Sequence, residues 1–239
     1  MTYAFETNDT AILPIVGSDY LFPVSQIYCV GRNYADHAVE MGHDPDREEP
    51  FFFMKPSYAI LNDGEQMEYP SFSTDVHHEV ELVIALSKGG RDIGINEAMD
   101  LVYGYAVGID MTRRDLQAEA KKKSRPWESG KSFMHAAPCS AISLIADSGE
   151  INFGSITLSI NGTEKQRGDI NQMIWKVPEI ISRLSELFVL SPGDLIFTGT
   201  PAGVGPIQVG DKVQAAIENV GEININVGKV SSAGETIEG

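Results

Sequence analysis

Cysteine is scarce. Cys29 and Cys139 are the only two in the chain, too few for a disulfide framework or a thiolate zinc site. Both sit among mostly apolar neighbours, which reads as buried free thiols in a reducing cytoplasm. Basic residues are also in short supply: Lys and Arg number 18 against 34 Asp and Glu, a formal net charge of −16. That deficit argues against nucleic acid or an anionic membrane as the main partner, since both need a cationic surface. A small anionic substrate stays open, because a metal ion or a local Lys/Arg cluster reverses the sign inside one cleft. No apolar run approaches the roughly 20 residues of a membrane span. Met1–Asp9 has no basic start and carries Glu6 and Asp9, unlike a secretory signal. The turn Gly199-Thr200-Pro201-Ala202-Gly203-Val204-Gly205 lacks the Gly-Lys-Ser/Thr ending of a phosphate loop, so nucleotide binding is unsupported. There is no internal repeat and no low-complexity segment.

What is present suits a folded domain. Of 239 residues, 42% are hydrophobic and 22% charged, enough for one large domain or two small ones. Short apolar runs at 27–30, 51–54, 80–86 and 103–111 read as strands. Residues 156–160 with the turn Asn161-Gly162 open a hairpin, and 195–198, 212–217 and 222–227 are further strands. Helical spacing is confined to 32–41, 114–123 and the stretch that begins at Pro178 and stops at Pro192-Gly193. Residues 130–139 read as extended. Strands without regular helix alternation predict an α+β, mainly β fold rather than a doubly wound sheet. The chain divides into an N-terminal arm (1–24), a catalytic domain (25–230) and a C-terminal tail (231–239).

Several polar residues stand where chemistry needs them. Glu79 and Glu81 lie two apart on a strand, so their carboxylates project together, repelling one another unless a cation sits between them. Asp110 ends an uncharged apolar strand and offers a third oxygen. Three such ligands suit Mg²⁺ or Mn²⁺ and leave positions open for water or substrate. Taken singly, the Glu pair also fits a solvated strand face, and Asp110 a helix cap. His37 and Glu40 are three apart on a helix-like segment, a spacing that lets a carboxylate orient an imidazole as a base. The acidic, proline-containing loop that follows suggests a segment that moves as a lid does. Lys131 and Lys55 each stand alone beside an apolar strand, as edge charges or facing an anion. Lys121-Lys122-Lys123 reads as a solvated helix end. Thr200 and the backbone N–H groups of its turn could hold a carboxylate. His77, His78 and His135 read as structural.

In order along the chain, these pieces resemble the fumarylacetoacetate hydrolase family, in particular its acylpyruvate and fumarylpyruvate hydrolase branch. The matching segments are Gly31-Arg32-Asn33-Tyr34-Ala35-Asp36-His37, Phe53-Met54-Lys55-Pro56-Ser57, His77-His78-Glu79-Val80-Glu81-Leu82, Gly108-Ile109-Asp110-Met111-Thr112, Lys121 through Phe133, and Ser191 through Gly205. The resemblance implies a mixed β-sandwich roll of the family's C-terminal domain type, a homodimer, and one Mg²⁺ or Mn²⁺ per chain. It implies Glu79, Glu81 and Asp110 as metal ligands. His37 and Glu40 are the implied water-activating dyad, and Lys131 the active-site lysine. Arg32, Lys55, Arg114, Gln117 and Thr200 are implied at the substrate. The expected reaction is hydrolysis of a carbon–carbon bond in a 2,4-diketo acid, giving pyruvate and a carboxylic acid. The alternatives are oxaloacetate decarboxylation or isomerisation of a related diketo acid.

Overall fold

The computed structural model describes residues 10–35 and 49–229. The chain opens with a ribbon, β1 (Ile12–Pro14) against β2 (Leu21–Pro23). Its inward residues Leu13 and Phe22 are buried, and Ile15 bridges to Ile142, so the ribbon is sewn to the body of the molecule. Then come β3 (Ile27–Gly31), β4 (Phe51–Lys55), β5 (Ile60–Asn62), β6 (Gln66–Glu68) and β7 (Val76–His78). The two longest strands of the larger sheet follow, β8 (Val80–Leu86) and β9 (Val102–Ile109). Beyond them lie β10 (Thr112–Arg113), α1 (Arg114–Lys122), α2 (Glu128–Lys131), β11 (Ala137–Cys139) and β12 (Ser143–Leu144). The hairpin β13 (Ser155–Ile160) and β14 (Thr163–Asp169) precedes α3 (Val177–Leu187). The chain finishes with β15 (Leu195–Phe197), β16 (Gly205–Pro206), β17 (Lys212–Ile217) and β18 (Gly221–Gly228).

Two sheets carry the fold. The larger runs β4-β3-β15-β8-β9-β11-β5, with β12 also on β9, and the second runs β14-β13-β17-β18-β6. A short third sheet runs β10-β7-β16. β8 is buried along its whole length and β9 along all but Tyr103, as suits strands that carry a single charged residue, Glu81, and are covered on both faces. β13 alternates instead, burying Ile156, Leu158 and Ile160 and packing against β8. Truncating such a residue, Leu158→Ala for example, costs about 2–5 kcal/mol. This mainly β, mixed sandwich is the fold class expected from the sequence.

The helix expected from Pro178 starts at Val177. Proline suits its first turn, and the Lys176 N–H donates to Glu179 Oε2 at 2.9 Å. Ile180, Ile181 and Leu184 bury its apolar face. The residues 130–139, expected to be extended, are a correction. Only Ala137–Cys139 is a strand; Glu128–Lys131 is a helical turn, closed by the Gly130 and Lys131 N–H groups on Trp127 O at 2.8 and 2.9 Å. That turn packs against α1 and drops Lys131 into the interior. Both cysteines are buried free thiols, as expected.

Candidate active site

The site forms where β8 and β9 end side by side. Their register pairs Val80 with Ile109 and Glu81 with Gly108. Asp110 follows directly, its N–H donating 2.8 Å to Glu79 O. This brings one oxygen each from Glu79, Glu81 and Asp110 within 4.8 Å of one another. All three side chains are buried, with exposures of 5%, 2% and 1%, which removes the solvated-face reading of the Glu pair. Burial, then the carboxylates of Asp110 and Glu79, push Glu81 well above the usual carboxylate range.

Cations answer this crowded negative charge. Lys131 Nζ uses all three of its donors here: Glu79 Oε2 at 2.8 Å, Asp110 Oδ2 at 2.7 Å and Thr112 Oγ1 at 2.7 Å. Burial disfavours its charge, but Asp110 and Glu79 outweigh that and raise its pKa. Lys55, expected at the substrate, lies beneath the carboxylates instead. It is fully buried, 2.8 Å from Asp110 Oδ1, and donates to Met111 O at 3.1 Å and Lys131 O at 2.5 Å. Arg114 pairs with Glu79 and donates to Gln117 Oε1 at 2.7 Å. Three buried carboxylates aimed at one point, with oxygen as the only donor, fit a hard divalent cation such as Mg²⁺ or Mn²⁺.

The opposite wall is the turn after β15. Gly199 has φ +96, a conformation that suits glycine, and a Cβ there would sit 2.8 Å from that of Asn33. Its N–H donates to Glu81 Oε2 at 2.7 Å. Asn33, wholly buried, donates to Thr198 O at 2.7 Å and accepts from Trp175 N–H at 2.6 Å. Gln166 fixes the next residues. Its Oε1 meets His78 Nδ1 at 2.8 Å and accepts from Val80 N–H at 3.1 Å; its Nε2 donates to Thr200 Oγ1 at 2.8 Å and Pro201 O at 2.9 Å. His78 therefore has the structural role expected of it, and burial lowers its pKa.

Arg32, Arg114, Gln117, Lys131 and Thr200 all line the cleft above the carboxylates. Arg32 reaches it from a left-handed backbone, φ 59, which costs an L-residue roughly 1–2 kcal/mol. Gly31 before it lies so close to Phe51 that a Cβ would enter the ring. His37 and Glu40 fall outside the described residues. Lys121, expected as part of a solvated helix end, is a correction: it is half-buried and lines the cleft with Trp127, Phe51 and Phe53, whereas Lys122 and Lys123 are exposed. The missed signal was spacing. Arg114, Gln117 and Lys121 are three and four apart, so one face of α1 carries all three.

No helix among the described residues is long and apolar enough to cross a membrane. Residues 26–228 match the family described as fumarylacetoacetate (FAA) hydrolase C-terminal. A crystal structure of the fumarylpyruvate hydrolase of Pseudomonas aeruginosa, in complex with Mn²⁺ and pyruvate, superposes with a TM-score of 0.93. It is 46% identical and covers 95% of this chain and 100% of its own. The mitochondrial oxaloacetate decarboxylase of Dictyostelium discoideum is 45% identical over 80% of this chain and 88% of its own. The mitochondrial oxaloacetate tautomerase of Mus musculus is 43% identical over 84% and 90%. With a matched fold, a matched length and an oxygen-lined carboxylate cluster at the strand ends, the chain belongs to the fumarylacetoacetate hydrolase family, in the branch of the acylpyruvate and fumarylpyruvate hydrolases.

Proposed function

We propose that the protein hydrolyses the C3–C4 bond of a 2,4-diketo acid, an acylpyruvate or fumarylpyruvate, to pyruvate and a carboxylic acid. The observation that carries this reading is the buried trio Glu79, Glu81 and Asp110 converging on one point beneath a cation-lined cleft. The likeness to a fumarylpyruvate hydrolase in complex with Mn²⁺ and pyruvate supports it. In this reading Glu79, Glu81 and Asp110 would hold Mg²⁺ or Mn²⁺, which when bound would supply Lewis-acid stabilisation of the negative charge that C3–C4 cleavage develops on the 2-oxo oxygen.

The remaining steps belong to side chains. His37, with Glu40 as its carboxylate partner, takes a proton from water as the water oxygen bonds to C4. Lys131, whose ammonium lies at the floor of the cleft beside Glu79 and Asp110, would donate to the C4 oxyanion as it forms. One such donor is worth about 3 kcal/mol. Gln117 and Thr200 position the diketo acid, and Arg114 adds positive charge beside it. The C3–C4 electron pair then moves into the three-carbon fragment as its enolate. A proton delivered to C3 completes pyruvate, and the acyl fragment leaves as a carboxylic acid.

The oxaloacetate decarboxylase and tautomerase relatives favour a second reading on the same site. Decarboxylation needs no attacking water, so it survives loss of His37 while hydrolysis does not. The deciding experiment measures pyruvate release from fumarylpyruvate, maleylpyruvate, acetylpyruvate and oxaloacetate, with Mg²⁺ or Mn²⁺ and with chelator, in wild type and His37→Ala. Hydrolysis of a diketo acid that requires metal and falls at least about 100-fold in His37→Ala upholds the first reading. Consumption of oxaloacetate alone, insensitive to His37→Ala, upholds the second. The proposal also includes a catalytic domain at 25–230 flanked by an arm (1–24) and a tail (231–239), a homodimer and a cytoplasmic location. Light scattering on the purified protein tests the dimer.

A further inference from the structure

Gln166 reaches the cleft wall from the second sheet. On the hairpin it pairs with Leu158, whereas Glu164 pairs with Ser159. Lys165 between them has no partner on β13, a bulge of the kind that re-aims a side chain. Gln166 is 1% exposed on a strand whose other residues are exposed or half-buried. The turn that carries Thr200 lies directly on this strand: a Cβ on Gly168 would come within 2.7 Å of Pro201 Cβ.

The partners of this amide fix which end is oxygen and which is nitrogen. Two of its four contacts have only one possible sense. The Val80 N–H, at 3.1 Å, can only donate, and the Pro201 carbonyl, at 2.9 Å, can only accept. Oε1 therefore faces Val80 and Nε2 faces Pro201. The other two contacts follow from that. His78 Nδ1, 2.8 Å from Oε1, must carry a hydrogen, and Thr200 Oγ1, 2.8 Å from Nε2, must accept one. A hydroxyl has a single hydrogen of its own. Thr200 is buried at the cleft wall, and among the described residues its hydroxyl has no other hydrogen-bond partner. Its hydrogen is thus left for the cleft. His78, Gln166 and Thr200 form a chain that donates in one direction, and each bond polarises the next.

We propose that Gln166 is a positioning residue that commits the Thr200 hydroxyl to donate into the cleft, so that this wall selects an acceptor oxygen over a hydroxyl or an amide N–H. A hydroxyl free to turn accepts as well as donates and makes no such choice. The inference rests on the proposed function for the substrate that brings the oxygen. Gln166 itself touches no substrate and acts through Thr200.

Two measurements test it. Nitrogen NMR of the histidine rings in the full-length, Mg²⁺-loaded wild type reads the state of His78 Nδ1. A hydrogen there is expected, and a bare Nδ1 overturns the chain. The second is a double-mutant cycle on the Mn²⁺-loaded protein, with pyruvate as the probe and calorimetry as the readout. Thr200→Val is expected to weaken pyruvate about tenfold, and Thr200→Ser, which keeps the hydroxyl, to bind it nearly as wild type does. Gln166→Met is expected to weaken it about threefold when Thr200 is present and to change nothing in Thr200→Val, because Gln166 has no other route to the ligand. A merely structural role gives the same loss in both backgrounds, and that result overturns the proposal. So does wild-type affinity in Gln166→Met, or wild type that binds no pyruvate. Where Gln166→Met does not fold, a bare His78 Nδ1, or Thr200→Val that binds as wild type does, overturns it. The reaction is read separately, from pyruvate release. Release from a diketo acid with equal losses in both backgrounds defeats the positioning role alone. A coupled cycle without release from any diketo acid upholds the role and defeats the reaction.

Discussion

Lys131 Nζ stands 2.7 Å from Asp110 Oδ2, inside a cluster where both side chains are almost wholly buried. The lysine bridges Asp110 to Glu79 and so occupies the role of a cation among the carboxylates. Removing it leaves buried negative charge uncompensated, which typically costs about 3–5 kcal/mol. Lys131→Met is therefore expected to melt well below wild type when metal-free. Saturating Mn²⁺ should restore much of that loss. Activity should not return: pyruvate release stays about 100- to 1,000-fold down, because the proposed oxyanion donor is gone. Melting curves and single-turnover rates with and without Mn²⁺ separate the two effects. Full activity in the metal-loaded variant removes Lys131 from the chemistry.

The pH dependence of stability follows from Glu81. Burial and its carboxylate neighbours raise its folded-state pKa above the ordinary 4.5. The folded protein therefore binds more protons than the unfolded chain once pH passes 4.5. Its contribution to stability is fully present below that value and declines as pH rises toward the folded pKa. Other carboxylates act in the opposite sense; Asp115, held low by Ser73 and backbone N–H groups against the effect of burial, is one. The diagnostic is thus a difference. In metal-free protein, urea titrations from pH 5 upward should show wild type losing stability relative to Glu81→Gln. A constant gap between the two across that range contradicts the assignment.

Gln166 ties together backbone from both sides of the cleft. Through His78 and Val80 it holds the β7–β8 junction, where Glu79 sits one residue before the strand that carries Glu81, and through Thr200 and Pro201 it holds the opposing turn. Gln166→Leu keeps the volume and strands these polar groups. Destabilisation of about 3 kcal/mol is expected in urea. The surviving folded enzyme should show a raised KM with kcat less affected, since in the proposed mechanism Thr200 positions substrate rather than moves protons. A variant with wild-type stability and KM shows that water replaces the amide.

Legibility in the sequence followed the range of the interactions. The long apolar runs of β8 and β9 and the Asn161-Gly162 hairpin were readable because their signals are local. Asp110 was readable as a charge at the end of such a run, and Glu79 with Glu81 by alternation. Lys121 was not, because its neighbours Lys122 and Lys123 are exposed and mask the fact that α1 turns one face to the cleft. Gln166 carried no local mark on an otherwise polar, exposed strand, and its partners at positions 78 and 200 are far away along the chain. The turn at Glu128–Lys131 was hidden for a similar reason: it is stabilised by packing on α1, not by helix-forming composition.

Metal should bind at a cost set by Lys131 and Lys55, whose ammonium groups already touch the carboxylates a divalent ion needs. Binding to the folded state alone stabilises it by about 2.7 kcal/mol when free metal is a hundredfold above its Kd. For a chain of 239 residues this corresponds to a rise in melting temperature of about 5–10 °C. Mn²⁺ or Mg²⁺ should produce that rise over a chelated sample, and Asp110→Asn should abolish most of it, because one ligand charge is lost while the lysines remain. In Lys131→Met the rise should exceed that of wild type, since no ammonium competes for Glu79 and Asp110. Wild type that melts at the same temperature with Mn²⁺ and with chelator overturns the metal site. An equal rise in wild type and Lys131→Met keeps the metal but removes the competition between it and the buried lysine.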